Sequence, residues 1–317
     1  MDYYNNITEL IGNTPLLKLN NFSIPAPFNV FTKLEYLNPG GSIKDRIGLQ
    51  MLQEAERAGQ LDEDTVIIEP TAGNTGIGLA LAAKNKGNKV ILIVPDKFSQ
   101  EKHLLMEALG AEIVSTPAED GIKGAKKKAQ EIAANYENSF IPDQFSNKAN
   151  PQSHYLTTGP EIYAQLEGEI DYFVAGGGTG GTFSGTMRYL KEQDPAIKGI
   201  LIEPHGSIFS GGEKGSYEVE GIGNSFVPET LDLELATDIL KVSDQDSFAQ
   251  VRKLARLEGI TVGSSSGASL AGVLKLISNL QEDKKSLKED DINIVTVFFD
   301  GSERYFSKNI YDKNKFA

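Results

Sequence analysis

The stretch "DYFVAGGGTGGTFSGTMRYLKEQ", residues 171–193, places an apolar run, a glycine-rich turn and a helical pattern in immediate succession. The runs "VIIE" (66–69) and "VILIV" (90–94) also precede helical patterns, and "GILIE" (199–203) and "NIVTVFF" (293–299) continue the series. Short strands that alternate with helices are typical of parallel sheets with helices on both faces. Nearly continuous apolar strands are typical of burial on both faces. The sequence therefore predicts an α/β fold with mostly parallel sheets.

The composition narrows the possible classes of function. The chain has 317 residues, which exceeds the size at which a single core usually stops growing, so we expect one large or two interlocked domains. Its net charge of −13 disfavours binding to nucleic acid or to an anionic membrane surface. It has no cysteine, and His103, His154 and His205 are far apart in sequence. We therefore expect no metal site and a structural role for each histidine.

The first ten residues, "MDYYNNITEL", lack the basic region and the apolar core of a secretory signal. Apolar runs such as residues 90–94 are too short to span a bilayer. We therefore expect a cytoplasmic protein with no membrane partner. The segment 147–160, with two prolines and a glycine, is the best candidate for a crossover between two sheet domains. The charged run at 283–291 is expected to be a solvated surface segment.

The loop at residues 175–185, "AGGGTGGTFSG", follows a predicted strand and precedes a predicted helix. Ligands of open α/β sheets bind beyond the carboxyl ends of the strands, so loops in this position are informative. Its six glycines allow backbone N–H groups to converge on an anion at the positive end of a helix, and Thr179 and Thr182 offer hydroxyl groups. The loop therefore predicts a phosphate site.

The same loop also matches a dinucleotide-binding pattern. Gly176, Gly178 and Gly181 have the spacing G-x-G-x-x-G. Glu203 ends the next predicted strand, where such folds place the acid that binds the ribose. From this loop alone, an NAD-dependent oxidoreductase is an alternative, and a glycine-rich turn that binds no anion is another.

Two further loops have compositions suited to ligand binding. Residues 69–78, "EPTAGNTGIG", predict a second cup of donors that suits a carboxylate, although Asn74 could instead stabilise the turn itself. Residues 262–269, "VGSSSGAS", place three hydroxyl groups before a helical run, which is typical of an N-cap. No serine nucleophile is expected, because G-x-S-x-G and a Ser-His-Asp arrangement are both missing. A phosphate cup and a carboxylate cup indicate a ligand with two anionic ends.

The stretch "KLEYLNPGGSIKDRIGLQML", residues 33–52, places Lys44 beside the start of a helix. Apolar residues recur at helical spacing from Ile47 onward, so we expect this helix to begin close to Asp45. The positive end of a helix disfavours an ammonium, and this suits an amine that must lose its proton and attack a carbonyl. Spacing alone leaves an ordinary solvated lysine equally open.

In this order, the motifs resemble those of the cysteine synthase and cystathionine β-synthase family of pyridoxal-phosphate enzymes, which have fold type II. The similarity extends from "LIGNTPLLKL" at 10–19 to "SERYF" at 302–306. Its core consists of "NPGGSIKDR" at 38–46, "TAGNTG" at 71–76, "QFSN" at 144–147, "GGTGGT" at 177–182, "EGIGNSF" at 220–226 and "SSG" at 265–267. Six ordered motifs are far more specific than one, so the dinucleotide alternative becomes distant. The chain most resembles a bacterial O-acetylserine-using branch, because Ala72 stands where the family more often has serine.

The resemblance implies an architecture similar to that of the tryptophan synthase β subunit. Two open, twisted, mostly parallel sheet domains would be flanked by helices, with the cofactor between them. The N-terminal α/β domain would comprise residues 39–148 and include a mobile subdomain at about 90–145. The C-terminal α/β domain would combine residues 1–38 with 149–317. A homodimer is the usual state of this family, and only small-molecule substrates are implied.

The resemblance also implies a role for each motif residue. Lys44 would hold pyridoxal 5'-phosphate covalently and later move protons at the substrate's α-carbon. Asn74 would hydrogen-bond the ring oxygen of the cofactor, and Ser265 would face its pyridine nitrogen. The phosphate would be bound by Gly178, Thr179, Gly180, Gly181 and Thr182. The amino-acid substrate would be bound by Thr71, Ala72, Gly73, Thr75, Gln144, Gly221 and Asn224.

The implied reaction is β-replacement on O-acetylserine or serine. A serine hydroxyl does not hold the ring nitrogen protonated, so the electron sink is weaker, which disfavours transamination and racemisation. The weaker electron sink suits loss of the β-substituent, which gives an aminoacrylate. Sulfide or homocysteine then adds to the aminoacrylate, forming cysteine or cystathionine, respectively. Sulfide is not assumed to be the nucleophile, because Ala72 removes a hydroxyl near the substrate. The loop that contains Asn224 and Ser225 should also influence this choice.

Two other classes of function stay open from the sequence. The same aminoacrylate would serve β-elimination, deamination or a cysteine-consuming release of hydrogen sulfide. A non-catalytic ligand-binding protein could keep the fold without the chemistry, although the presence of Lys44 and Asn74 speaks against it.

Overall fold

A computed structural model of the protein describes residues 3–71, 73–96, 99–283 and 291–314. These residues alternate strands with helices along almost the whole chain. Ala72 and most of the charged run at 283–291 lie outside the described residues. Among the residues that are described, no helix is both long enough and apolar enough to cross a membrane.

The described residues form ten strands in two sheets. In chain order the strands are β1 (Leu16–Lys18), β2 (Phe28–Leu34), β3 (Val66–Pro70), β4 (Val90–Pro95), β5 (Glu112–Thr116), β6 (Ser139–Phe140), β7 (Tyr172–Gly176), β8 (Lys198–Pro204), β9 (Asp238–Val242) and β10 (Ile292–Phe298). The larger sheet has the order β1-β2-β10-β7-β8-β9, and the smaller sheet has the order β5-β4-β3-β6. Every neighbouring pair is parallel except β1 with β2.

Nine α-helices connect these strands within the described ranges. They are α1 (Lys44–Arg57), α2 (Asn74–Ala83), α3 (Gln100–Ala108), α4 (Gly121–Ala133), α5 (Ala149–Leu156), α6 (Thr158–Gln165), α7 (Gly181–Gln193), α8 (Asp244–Leu257) and α9 (Ser264–Glu282). A 3-10 helix, Ser302–Lys308, follows the last strand. Helix α1 begins at Lys44, one residue before the predicted start.

The predicted α/β class with two mostly parallel sheets is confirmed. The five predicted strands correspond to β3, β4, β7, β8 and β10, and all five have buried interiors because helices cover both faces of each sheet. The strands of the smaller sheet lie within residues 66–140, and the rest of the strands form the larger sheet. The domain boundaries and the mobility of residues 90–145 stay predictions.

The segment at 147–160 connects the two sheets, since it follows β6 and precedes β7. Most of it is helical, in α5 and the start of α6. Helix α5 packs against α7, where a Cβ at Gly185 would overlap the carbonyl oxygen of Pro151. The crossover is therefore a packed part of the fold.

Candidate active site

A cleft with about 670 Å³ of non-protein volume lies beyond the carboxyl ends of β3, β7 and β10. Of the residues predicted for the site, the cleft brings together Lys44, Thr71, Gly73, Asn74, Thr75, Gln144, Gly178, Thr179, Gly180, Thr182, Gly221 and Ser265. Its lining also includes Gly176, the first glycine of the dinucleotide-binding pattern, and five residues to which no role was assigned from the sequence: Ile43, Lys102, Glu220, Phe299 and Tyr305.

Lys44 is positioned by contacts with the end of the larger sheet and with helix α2. The backbone N–H of the preceding residue, Ile43, donates to the carbonyl of Phe299 at the end of β10, at 2.9 Å. Helix α1 also packs closely on α2, because a Cβ at Gly78 would lie 2.5 Å from the carbonyl oxygen of Lys44. The first turn of α1 is therefore held in place by the residue that follows β10 and by the middle of α2.

The amine of Lys44 has unusual electrostatics. Burial lowers its pKa from 10.5 to about 8, while the carboxylates of Asp300 and Glu35 raise it. Within the described ranges, its side-chain nitrogen has neither a hydrogen-bond acceptor nor an ion-pair partner. A lysine of this kind can lose its proton near neutral pH and act as a nucleophile.

The glycine-rich loop forms an anion cup at the start of α7. Gly180 has a left-handed φ of 82°, which an L side chain rarely adopts. The backbone N–H groups of Gly178, Thr179 and Gly180 have no protein acceptor among the described residues. Free N–H groups at the positive end of a helix are suited to a phosphate. A Cβ at Gly181 would overlap Oδ1 of Asn150, so Gly181 supports the cup from outside the cleft lining.

A hydrogen-bond chain links this cup to the predicted carboxylate loop. Asn150 Nδ2 donates to Thr179 Oγ1 at 2.9 Å and to the carbonyl of Gln144 at 2.7 Å. Thr75 Oγ1 donates to Gln144 Oε1 at 2.6 Å, which leaves the amide N–H groups of Gln144 directed to the cleft without a protein acceptor in the described structure. The backbone N–H of Gln144 donates to the buried carboxyl of Glu69, whose pKa is raised to about 8 by burial.

Asn74 is held by groups that follow the last strand. Its Nδ2 donates to Asp300 Oδ2 at 2.6 Å, and its Oδ1 accepts from Arg304 Nη1 at 2.9 Å. Tyr305 donates its hydroxyl to the same oxygen of Asp300. These contacts fix the orientation of the amide and leave its second N–H for a ligand.

Ser265 lies in the first turn of α9, and its hydroxyl has no protein partner in the part of the chain that is described. The N-cap interpretation of the serine run is wrong, because Gly263 is the N-cap and no side chain caps the helix. The hydroxyls of the neighbouring serines, in contrast, accept hydrogen bonds from backbone N–H groups. Ser264 Oγ accepts from the backbone N–H of Glu220 at 3.0 Å, and Ser266 Oγ accepts from that of Phe299 at 2.9 Å.

Two residues support the phosphate cup from outside the cleft. Asn224 donates from Nδ2 to the carbonyl of Gly178 at 2.7 Å, so it contacts the cup instead of lining the cleft. His154 is buried, with its ring nitrogens within hydrogen-bond distance of Thr158 Oγ1 (2.9 Å) and Thr182 Oγ1 (3.2 Å). Burial lowers the pKa of His154 well below 6.5, so the ring is neutral. Its structural role includes holding Thr182.

The dinucleotide alternative fails at Glu203. This carboxylate is fully buried and accepts from the backbone N–H groups of Phe209 (2.8 Å) and Ser210 (3.0 Å) and from the hydroxyl of Ser210. It closes the turn that follows β8. Its oxygens are therefore not available to a ribose.

The described residues fit pyridoxal phosphate. The cup offers backbone N–H groups without acceptors for the phosphate, and Lys44 offers an amine that can be neutral. Asn74 and Ser265 each keep one polar hydrogen directed to the cleft. Ala72 was predicted to bind the substrate, but it lies outside the described residues.

The comparisons with known proteins agree with this chemistry. The chain is 49% identical to the O-acetylserine dependent cystathionine beta-synthase of Bacillus subtilis (strain 168), over 98% of this chain and 99% of that protein. It is 47% identical to a cysteine synthase of Helicobacter pylori (strain ATCC 700392 / 26695), over 96% and 97% of the two chains.

Solved structures give the same result. The crystal structure of the O-acetylserine dependent cystathionine beta-synthase from Helicobacter pylori matches with a TM-score of 0.91 and 45% identity, over 98% of this chain and 100% of that chain. A hydrogen sulfide-producing enzyme from Fusobacterium nucleatum matches with a TM-score of 0.90 and 41% identity, over 96% and 100%. The predicted fold type II architecture is confirmed. The pyridoxal-phosphate dependent enzyme family matches residues 7–298, and the chain therefore belongs to this family of pyridoxal-phosphate dependent enzymes.

Proposed function

We propose that this enzyme replaces the β-substituent of O-acetylserine, or of serine, with a sulfur nucleophile. Homocysteine as nucleophile gives cystathionine, and sulfide gives cysteine. The observation that carries the proposal is the amine of Lys44, whose pKa is lowered to about 8 and which lines the same cleft as the phosphate cup and the carboxylate loop. The relatives named as O-acetylserine dependent support the choice of donor.

Separate loops of this chain bind the phosphate and the ring of the cofactor. Backbone N–H groups of Gly178, Thr179 and Gly180, followed by Gly181 and the hydroxyl of Thr182, bind the phosphate. The free N–H of Asn74 donates to the ring oxygen. Pyridoxal phosphate, when bound, supplies a ring that accepts electrons from the bonds at the α-carbon of the amino acid.

The amino-acid substrate is bound by the loop that follows β3. Its carboxylate accepts hydrogen bonds from the amide of Gln144 and from the donors of the loop, at Thr71, Ala72, Gly73 and Thr75. Gly221 forms the opposite wall, where a Cβ would lie 3.6 Å from Ser265 Oγ, and Asn224 supports this wall through the carbonyl of Gly178. The substrate is therefore oriented with its α-carbon towards Lys44.

Lys44 has two successive tasks. Its amine would hold the cofactor, and the same amine, when free and neutral, would take the proton from the α-carbon of the substrate. A pKa near 8 is close to that of an efficient general base at neutral pH. Ser265 presents a hydroxyl, which does not hold the ring nitrogen protonated, and this favours β-elimination over transamination.

A second candidate function is the release of hydrogen sulfide from cysteine. The neighbour from Fusobacterium nucleatum, described as hydrogen sulfide-producing, favours it. It uses the same site residues, with the thiol of cysteine as the leaving group. We also propose that the enzyme is a cytoplasmic homodimer and that residues 90–145 close over the substrate, as the resemblance to the family implies.

A substrate matrix tests the proposed function. Purified holoenzyme is mixed with O-acetylserine, serine or cysteine, each with sulfide or homocysteine, and products are identified by mass spectrometry. We expect cystathionine or cysteine to form fastest from O-acetylserine. Lys44→Ala should abolish both products and the visible band of the lysine-bound cofactor, whereas Lys86→Ala, which removes a surface ion pair with Glu56, should change neither. Absence of any product from both O-acetylserine and serine refutes the proposal, and absence from O-acetylserine alone refutes the preferred donor.

A further inference from the structure

An ion pair bridges the two walls of the cleft. Lys102 Nζ lies 3.0 Å from Glu220 Oε2, and the two side chains are only 4% and 18% exposed. Lys102 belongs to α3, which follows a strand of the smaller sheet, and Glu220 belongs to the loop that follows β8 of the larger sheet. Both side chains line the cleft that contains Lys44. The pair therefore faces the reaction space.

Each member of the pair is fixed in position. The alkyl stem of Lys102 lies against the carboxylate loop, because a Cβ at Gly73 would overlap it, and its Nζ lies 4.1 Å from the ring centre of Tyr305. The backbone N–H of Glu220 donates to Ser264 Oγ at 3.0 Å, and its Oε1 lies 3.7 Å from Lys308 Nζ. These contacts place both charges beside the substrate loop in this structure.

Stability does not account for a buried pair of this kind. Desolvation of both charges roughly cancels their attraction, and apolar side chains of the same size would stabilise the fold at least as well. A fixed pair of opposite charges is, however, complementary to the zwitterionic end of an amino acid. Such a ligand replaces one ion pair by two and leaves the charge of the cleft unchanged.

We propose that Lys102 and Glu220 form the subsite for the α-amino-acid end of the thiol nucleophile. Lys102 donates to the carboxylate of the nucleophile, and Glu220 accepts from its ammonium group. This inference rests on the proposed function and identifies the substrate class, since homocysteine has both groups and sulfide has neither. The enzyme is therefore selective for amino-acid thiols over sulfide.

Two truncated thiols probe the two contacts separately. Homocysteine is compared with 3-aminopropane-1-thiol, which lacks the carboxylate, and with 4-mercaptobutyrate, which lacks the amino group. The holoenzyme is supplied with O-acetylserine, and kcat/KM is measured for each thiol. Lys102→Met should reduce the preference for homocysteine over 3-aminopropane-1-thiol by about 10- to 100-fold, the size expected for one charge-assisted hydrogen bond. Glu220→Gln should reduce the preference over 4-mercaptobutyrate by a similar factor.

Controls separate this role from a structural one. Lys102→Arg keeps the positive charge and should keep the preference for homocysteine. Lys86→Met removes a lysine from an ion pair outside the cleft, with Glu56 at 2.5 Å, and should leave every ratio unchanged. The visible band of the cofactor confirms that each variant is folded and loaded. Binding of cystathionine to the holoenzyme, measured by calorimetry, should weaken in Lys102→Met and be restored in Lys102→Arg.

Three results would overturn the inference. Equal losses of kcat/KM with homocysteine and with sulfide indicate that the pair only holds the two walls together. An increase in KM for O-acetylserine alone indicates that Lys102 serves the first substrate. Unchanged ratios exclude any contact with the nucleophile. If the wild-type enzyme forms no product with either nucleophile, the proposed function itself has failed, and the inference fails with it.

Discussion

The amine of Lys44 should capture pyridoxal phosphate at a pH at which an ordinary lysine is almost fully protonated. Burial lowers its pKa from 10.5 to about 8. At pH 7 the neutral fraction is about 9% for a pKa of 8 and about 0.03% for a pKa of 10.5. Since only the neutral amine attacks the aldehyde, the advantage is about 300-fold.

Stopped-flow mixing of apoprotein with the cofactor measures this advantage. At each pH, the rate constant for growth of the visible band is divided by the rate constant for the reaction of Nα-acetyllysine with the cofactor. Because the cofactor titrates in both reactions, its own pH dependence cancels in this ratio. The ratio should be constant below pH 8 and fall about tenfold per pH unit between pH 8 and 10.5. A ratio that stays flat up to pH 10 would refute the assignment of a lowered pKa to Lys44.

The carboxylate of Asp300 provides a second perturbation of the same amine. It raises the pKa of Lys44 against the larger effect of burial. Asp300→Asn should therefore move the break in the pH profile below pH 8. The matched control is Asp64→Asn, at an exposed position before β3 and therefore at the end of that strand away from the cleft, and it should leave the break where it is. A break that moves upward in Asp300→Asn contradicts the electrostatic account.

Three further predictions concern stability and cofactor binding. Lys44→Met should raise the free energy of unfolding of the apoprotein at pH 7 by at most about 3 kcal/mol, because the buried ammonium is removed. In urea denaturation, this gain should vanish as pH rises from 8 to 10.5, where the unfolded lysine also loses its proton. Gly181→Ala should weaken cofactor binding at least about tenfold in fluorescence titrations, because its Cβ overlaps Asn150. Gly59→Ala is the control: the space around Gly59 is open but its φ is +68°, so this change should lower the free energy of unfolding by only about 1 kcal/mol. The wild-type free energy of unfolding should fall as pH drops below 6.5, because the unfolded chain takes up a proton that buried His154 does not. In urea denaturation, His154→Gln should reduce this slope by an amount that grows towards a limit of about 1.4 kcal/mol per pH unit as pH falls from 6.5 to 5.

Five of the six interior strands could be predicted from the sequence, whereas the interior strand β2 and the four edge strands could not. Strands β3, β4, β7, β8 and β10 are buried along their length, so each shows as a continuous apolar run. Strand β1 has three residues and β6 has two, which is too short to show a period. They exist because the neighbouring strand offers free backbone groups, and this is a property of the assembled sheet.

At the site, too, residues that share a motif could be predicted, whereas residues that meet only in the folded chain could not. Thr179 could be placed at an anion site from the composition of its loop, whereas Lys44 could be placed at the site only from the ordered set of motifs. Lys102 and Glu220 are 118 positions apart, and no local pattern indicates that they meet. Asp300 and Arg304 follow the last strand, and their position at its carboxyl end could have indicated that they lie at the cleft.

The arrangement of charges in the cleft supports the proposal that Lys44, and not Lys102, is the lysine that reacts. Lys44 and Lys102 both line it, yet Lys102 is the ammonium of an ion pair with Glu220, and its nitrogen is not free to attack an aldehyde. The phosphate cup consists of backbone N–H groups and hydroxyls, so anion binding there requires no additional cation. A neighbouring carboxylate in hydrogen-bond contact would hold Lys44 in its charged form. Asp300 instead accepts hydrogen bonds from Asn74 and Tyr305, so the amine of Lys44 has no partner among the described residues. An amine without a carboxylate partner loses its proton more readily, as the proposed reaction requires.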